Sequence, residues 1–343
     1  MTDLAPLGWA ADRASDVPDG TRVARVVRVD RGLLTVLTAT GEERVHPGGG
    51  LHDGSGPAVG DWVALRGELA VRVLPRRTAF VRTAAGRGSA PQVVAANVDV
   101  VLVVDALVGA ARLRRIERYL AVAWASGATP VVVLTKADLC PDVPAALAAV
   151  AEDAVGVDVL AVSAVTGAGL AELRGRVRPG CTAAMVGPSG VGKSSLANAL
   201  AGRPVAAVAG IREDGRGRHT TTARELHQLP GGGLLIDTPG MRELALPGAD
   251  GLDTTYADVA DWAGECRFRD CAHRTEPGCA VSAAIDRGEL DPARFTAWRK
   301  LQAEARRQEL RSSARARAEE HARVRAFSRE LRAHPGRPSR RDR

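Results

Sequence analysis

Between residues 20 and 83, polar and apolar side chains alternate in short runs broken by turns. Residues 21–29 and 33–38 alternate on either side of Asp30-Arg31-Gly32, and residues 61–66 and 68–74 do so across Gly67. A period of two marks half-buried strands, and several such strands in so short a stretch predict a small β-barrel. Residues 46–60 are rich in glycine and read as a long loop, and residues 84–92 (AAGRGSAPQ) read as a linker.

From residue 97 the pattern changes to strand–helix alternation. Residues 98–105, 130–135, 157–162, 182–186 and 234–236 are apolar runs of the buried-strand type, while residues 113–125 and 194–201 have helical spacing. This alternation predicts a parallel sheet with helices on both faces. After residue 246 a cysteine–histidine cluster precedes a helix that Asp291 caps and Pro292 opens. The chain ends in Pro, Gly and Arg from about residue 334, a composition that stays disordered. The expected division is a barrel over 1–83, an α/β domain over 84–246, a mostly α domain over 247–333 and a basic tail over 334–343.

Composition narrows the class. The 343 residues are 45% hydrophobic but only 3% aromatic, so the cores must be built from Val, Leu and Ala. No apolar run is long enough to span a bilayer, and the first residues lack the charged-then-apolar signal pattern. A cytoplasmic monomer is expected. Residues 299–343 carry 15 Lys or Arg against 6 Asp or Glu, a local charge of +9, whereas the whole chain has +7. The basic excess is therefore C-terminal, and it suits a nucleic-acid partner or a solubilising charged helix.

The chemistry lies at the predicted strand ends. Gly187-Pro188-Ser189-Gly190-Val191-Gly192-Lys193-Ser194 fits G-x-x-x-x-G-K-[ST] between a strand and a helix that continues through Ser195. In this pattern backbone amides form an anion nest at a helix N-terminus, the lysine bridges phosphates and the serine holds Mg²⁺. Thr135-Lys136-Ala137-Asp138 has the form that reads guanine, its carboxylate accepting from two base donors that adenine lacks. Ser163-Ala164 stands at the next strand end as its companion. Asp237-Thr238-Pro239-Gly240 follows a strand, as a Mg²⁺-water ligand and a γ-phosphate amide require. Thr220-Thr221-Thr222 lies in a glycine-loosened segment over 203–222, and Thr221 and Thr222 are the expected Mg²⁺ and nucleotide contacts. Only three lysines occur, at 136, 193 and 300, and two of them occupy nucleotide motifs that arginine cannot fill.

The motif order is rotated: the base motif leads and the phosphate loop trails. Met241 stands where many GTPases place a water-orienting Gln, so either hydrolysis is slow or another group serves. His219 is the candidate catalytic residue alongside Lys193, with contact to a partner as its other role. Cys266, Cys271, His273 and Cys279 form C-x₄-C-x-H-x₅-C, a closed tetrahedral set for one structural zinc, with a disulfide as the alternative. Cys140 and Cys181 read as packing cysteines.

Together, the rotated order, GPSGVGKSSL, GRHTTT, DTPG with a hydrophobic residue after it, and the cysteine–histidine spacing resemble the ribosome small subunit-dependent GTPase A family over roughly residues 22–301. The resemblance implies an OB-fold barrel, a circularly permuted GTPase domain and a C-terminal zinc domain. It implies GTP hydrolysis during late maturation of the 30S subunit, with 16S rRNA as partner and GTP/GDP with Mg²⁺ as ligands. A nucleotide-gated RNA-binding scaffold, with incidental hydrolysis, is the alternative. Arg22, Arg25 and Arg28 are expected phosphate contacts on the barrel. Thr135 departs from the family's usual Asn, whose amide braces the phosphate loop.

Overall fold

In the computed structural model, residues 4–52, 56–83, 91–108, 113–154, 156–206, 224–237, 250–274 and 276–312 are described, with a few positions between 316 and 325. The alternating N-terminal runs form β1 (Arg22–Asp30), β2 (Leu33–Thr38), β3 (Gly41–Pro47), β4 (Trp62–Arg66) and β5 (Leu69–Val73). Pairing runs β1-β2-β3-β5-β4, and β4 returns to β1. The closed five-stranded barrel is filled by Ala24, Val26, Leu34, Val36, Val45, Val63, Leu65 and Ala70. β3 was not foreseen: only Val45 among its seven residues is buried, so no alternation marks it, and residues 46 and 47 of the expected loop belong to it.

β6 (Ala79–Thr83) and β7 (Pro91–Ala96) pair as an antiparallel hairpin. Residues 91 and 92 therefore open a strand rather than close a linker. The α/β region follows with β8 (Val100–Ala106), α1 (Leu113–Ala125), β9 (Thr129–Thr135), α2 (Val143–Asp153), β10 (Asp158–Ala161), α3 (Leu170–Arg176), β11 (Thr182–Val186), α4 (Lys193–Ala201), β12 (Glu225–Gln228) and β13 (Leu234–Asp237). Its strands lie in the order β10-β9-β8-β11-β13-β12. The first five are parallel, as expected, but β12 is antiparallel to β13. Residues of β8 alternate between two cores: Val101 and Val103 pack with Leu120 of α1, and Leu102 and Val104 pack with Leu196 of α4. Helices thus cover both faces.

Barrel and nucleotide sheet are continuous, because β1 pairs with β12 at Arg28 and Glu225. Arg25 is buried at this seam rather than offered to RNA. Its guanidinium donates to Gly60 O at 2.9 Å, Leu7 O at 2.6 Å, Asn97 O at 3.0 Å and Thr182 Oγ1 at 3.0 Å, and it lies over the Trp62 ring. Burial pushes its pKa down to about 10, against the pull of Asp99. Arg22 and Arg28 are already paired, with Glu43 and Asp30. Of the three phosphate contacts expected on β1, Arg25 is thereby corrected, whereas Arg22 and Arg28 stay at the surface. Gly60 sits at φ +89°, and a Cβ there would lie 2.2 Å from Ala96 O, so the seam closes only around glycine.

The C-terminal part contains α5 (Asp250–Thr255), α6 (Ala257–Gly264), α7 (Ala280–Asp286) and α8 (Pro292–Ser312). Asp291 Oδ1 accepts from Ala293 N at 2.8 Å, the expected cap. This part docks on one face of α1. Arg114 pairs with Asp291, Arg118 with Glu304, and buried Glu117 with buried Arg294 at 2.8 Å. Arg294 also holds Asp258 and Thr255 O, and Tyr256 donates to Glu117 at 3.0 Å.

Candidate nucleotide site and metal centre

The phosphate loop joins β11 to α4 against the end of β8. At Gly187 (φ +147°) a Cβ would lie 2.1 Å from Val104 O, so any other residue would force the loop off the sheet. Gly192 takes φ +94° as the N-cap of α4, leaving the helix's first amides free to face an anion. The Lys193 ammonium folds over the loop, donating to Gly187 O at 2.9 Å and Pro188 O at 2.6 Å. Ser189 and Gly190 are exposed at the loop tip, Val191 is buried beneath it, and Ser194 and Ser195 are half-buried on the first turn of α4.

The base motif ends β9, two strands from β11. The Thr135 hydroxyl reaches Val191 O and also Asp105 O, the latter at 3.1 Å. Thr135 thus braces the phosphate loop, the role expected of an Asn amide at this position, although a hydroxyl has one proton for two carbonyls. Lys136 adopts φ +59° and donates from Nζ to Gly190 O at 2.9 Å, tying the motif to the loop tip. Asp138 is exposed, and Ala137 N bonds Val162 O at 3.1 Å, which joins this turn to the end of β10. There, buried Ser163 accepts from Val165 N and Thr166 N, fixing the turn that carries Ala164.

Asp237 ends β13, next to β11. Burial raises its pKa above the usual aspartate value, and His227 and Lys193 oppose the rise. His227 shares a strand face with Glu225, which stands opposite Asp237. Burial holds this histidine's pKa below its ordinary value. Sequence reasoning missed His227 because β12 was not foreseen. His219, Thr220, Thr221, Thr222, Thr238, Pro239, Gly240 and Met241 lie outside the described residues. The structure therefore brings together the phosphate loop, base motif, Ser163-Ala164 and Asp237 at the C-terminal ends of adjacent parallel strands, where ligands bind in open α/β sheets.

Cys266, Cys271, His273 and Cys279 converge with all ligand atoms within 4.8 Å of one another. Cys266 Sγ lies 4.0 Å from Cys279 Sγ and 3.5 Å from His273 Nδ1, and Cys279 Sγ lies 3.6 Å from the same nitrogen. Zinc bonds of about 2.3 Å to sulfur and about 2.0 Å to nitrogen give tetrahedron edges of about 3.5–3.8 Å, so the donor set fits. A disulfide needs sulfurs about 2.05 Å apart, and all five cysteines are unpaired. Burial opposes ionisation of Cys279, but hydrogen bonds from Ser282, His273 and Cys271 overcome it and bring this thiol down to about 6. The His273 ring is held between Phe295 and Trp298 of α8.

A lysine-tipped phosphate loop, a base motif bound to it and a half-buried carboxylate on the next strand define a GTP-binding P-loop protein. Because the base motif precedes the loop, its domain is circularly permuted. A family model described as RsgA GTPase matches residues 73–247. The small ribosomal subunit biogenesis GTPase RsgA of Streptomyces coelicolor is 50% identical over 327 residues, covering 91% of this chain and 88% of that protein. Its counterpart in Streptomyces avermitilis is 47% identical, covering 92% and 89%. Among solved structures, YjeQ from Thermotoga maritima superposes with a TM-score of 0.62 at 27% identity, covering 83% of this chain and 98% of that one. YloQ, a circularly permuted GTPase, gives 0.61 at 25% identity, covering 84% and 96%. The chain belongs to the RsgA GTPase family and is a GTP hydrolase.

Proposed function

We propose that this GTPase acts on the small ribosomal subunit during its late maturation, binding 16S rRNA as a cytoplasmic monomer and coupling GTP hydrolysis to release. The reading rests above all on the convergence of Lys193, Asp138 and Asp237 at neighbouring strand ends, held together by the Thr135 and Lys136 contacts to the phosphate loop. The relatives' printed names supply the small subunit as the object of the activity. Among the described residues no helix is long and apolar enough to cross a membrane.

In this reading the loop amides of residues 187–192 cradle the phosphates, and Lys193 moves from loop carbonyls to phosphate oxygens. Asp138 reads the guanine edge, with the Lys136 stem along the base plane and Ala164 offering its amide. Ser194, Thr221 and Asp237 would hold Mg²⁺, which neutralises charge on the phosphates when bound; Thr222 and Gly240 would reach the nucleotide. His219 orients the attacking water when the partner is bound. Zinc on Cys266, Cys271, His273 and Cys279 is structural, because four protein ligands close its shell. We assign the barrel to 1–83, the GTPase domain to 84–246, the zinc domain to 247–333 and the tail to 334–343.

GTP hydrolysis by the purified chain, alone and with small or large subunits, tests the proposal. Stimulation by small subunits alone is expected, and equal rates under all three conditions would overturn it. A His219→Ala protein that keeps full stimulated turnover would remove histidine from the mechanism.

A further inference from the structure

Phe268 is the only Phe, Tyr or Trp side chain in the exposed class among the described residues, with 41% of its surface open. It stands on the turn between the metal-site residues Cys266 and Cys271, where Cys271 N bonds Phe268 O at 3.2 Å. The neighbouring Arg267 holds its guanidinium 5.4 Å from the ring centroid. The arginine's stem is fixed in turn: Arg267 N bonds Gly278 O, and a Cβ on Gly278 would lie 3.1 Å from Arg267 Cβ. A planar ring and a planar cation are therefore presented together on a hydrogen-bonded turn, before any partner arrives.

The charges around the ring favour a polyanion. Arg267, Arg269 and Arg274 are exposed, and none makes an ion pair among the described residues. Glu276 is turned inward to the amides of Ala272 and Arg274. Asp270 is the opposing acid on the same turn, so phosphate attraction is modest and the ring must carry most of the affinity. Among the described residues the barrel offers no exposed ring of this kind, because Trp62 is buried and Arg25 is enclosed at the seam.

We propose that Phe268, with Arg267, Arg269 and Arg274, is a stacking site for one unpaired RNA base and its flanking phosphates. The occupant is single-stranded rather than duplex RNA, since only a base out of its helix offers a free face. The inference rests on the reading that the partner is ribosomal RNA, and adds where the zinc module would hold it. A fixed ring loses little rotamer freedom on binding, which suits a site with few contacts.

The test is binding of a fluorescein-labelled single-stranded oligouridylate, and of the same oligomer with abasic positions, by fluorescence anisotropy. Phe268→Ala should weaken binding to the oligouridylate roughly ten- to hundredfold, the usual range for one base–aromatic stack. Phe268→Trp should restore it, and the abasic oligomer should bind unmodified protein and Phe268→Ala alike. Zinc content is checked in both variants, so that a misfolded module is not read as a lost stack; Phe268→Trp with zinc bound but no restored affinity counts against the site. Equal oligouridylate binding by Phe268→Ala and the unmodified chain overturns the proposal. So does loss of subunit binding in Phe268→Ala with oligomer binding intact, which would assign the ring to a ribosomal protein. Small-subunit stimulation of GTP hydrolysis is measured in the same series on unmodified protein. Its absence refutes the ribosomal reading, whereas its presence with an indifferent Phe268→Ala refutes this site alone.

Discussion

Replacing Arg25 by Met tests whether the buried guanidinium holds barrel and GTPase sheet together. The apolar stem is kept and four donated hydrogen bonds are removed. Two acceptors tolerate the loss: Gly60 O still accepts from Asn97 Nδ2 at 3.0 Å, and the Thr182 hydroxyl can rotate. The carbonyls of Leu7 and Asn97 lose their guanidinium donors, at about 1–3 kcal/mol each. Loss of the guanidinium's packing on Trp62 adds about 1 kcal/mol, and relief from burying a charge offsets part of the total. A net destabilisation of about 3 kcal/mol is expected, a large share of the stability typical of a domain. Urea unfolding followed by tryptophan fluorescence reads it, because Trp9 and Trp62 pack edge to face at this seam. Arg28→Met, on the same strand but paired at the surface, should shift the midpoint by less than about 0.5 kcal/mol. A loss below about 1 kcal/mol for Arg25→Met would refute the reasoning, showing that the charge costs the fold as much as its hydrogen bonds return.

Further outcomes are expected elsewhere. Thr135→Val leaves Val191 O without its hydroxyl donor and should weaken GTP binding roughly fivefold by titration with a fluorescent analogue, whereas Thr135→Asn should not. Burial raises the Asp237 pKa above its unfolded value, so its contribution to apo stability is greatest at low pH and is lost as pH rises through the folded pKa. Asp237→Asn should therefore raise the apo thermal midpoint at neutral pH, while abolishing Mg²⁺-dependent stabilisation by GTP in scanning fluorimetry. Chelating zinc should unfold the knuckle and expose Phe295 and Trp298 to quencher, leaving GTP binding intact. Arg294→Met removes one of the two arginines on buried Glu117, which keeps Arg114 and Tyr256, and should cost about 1–3 kcal/mol in the docking of the C-terminal helices on α1, read by hydrogen exchange in α8.

What the sequence made legible follows from chemistry that fixes residue types at fixed spacing. The phosphate loop tolerates glycine alone where Gly187 meets Val104 O, and zinc needs four donors within a short reach, so both can be read from spacing. β3 and β12 were not legible, because one has a single buried residue and the other, Glu-Leu-His-Gln, offers one apolar side chain in four. Arg25 was misread although a signal existed: Arg22 and Arg25 differ by three, which in a strand places them on opposite faces. The Glu117–Arg294 pair joins positions 177 apart, and no local pattern reports such a partner.

The arginine at the seam also sets an order of events during synthesis. The barrel strands emerge first, but the Thr182 hydroxyl that helps hold Arg25 arrives 157 residues later, and β12 later still. At about 5–20 residues per second the nascent barrel waits roughly 10–30 s before its charge can be enclosed. Until then Arg25 stays in water and the edge of β1 that takes β12 remains open. The barrel therefore acquires its native edge only when β12, beyond the phosphate loop, has been made; a chain truncated before β12 leaves that edge exposed, and one truncated before β11 leaves the Arg25 cation unburied as well.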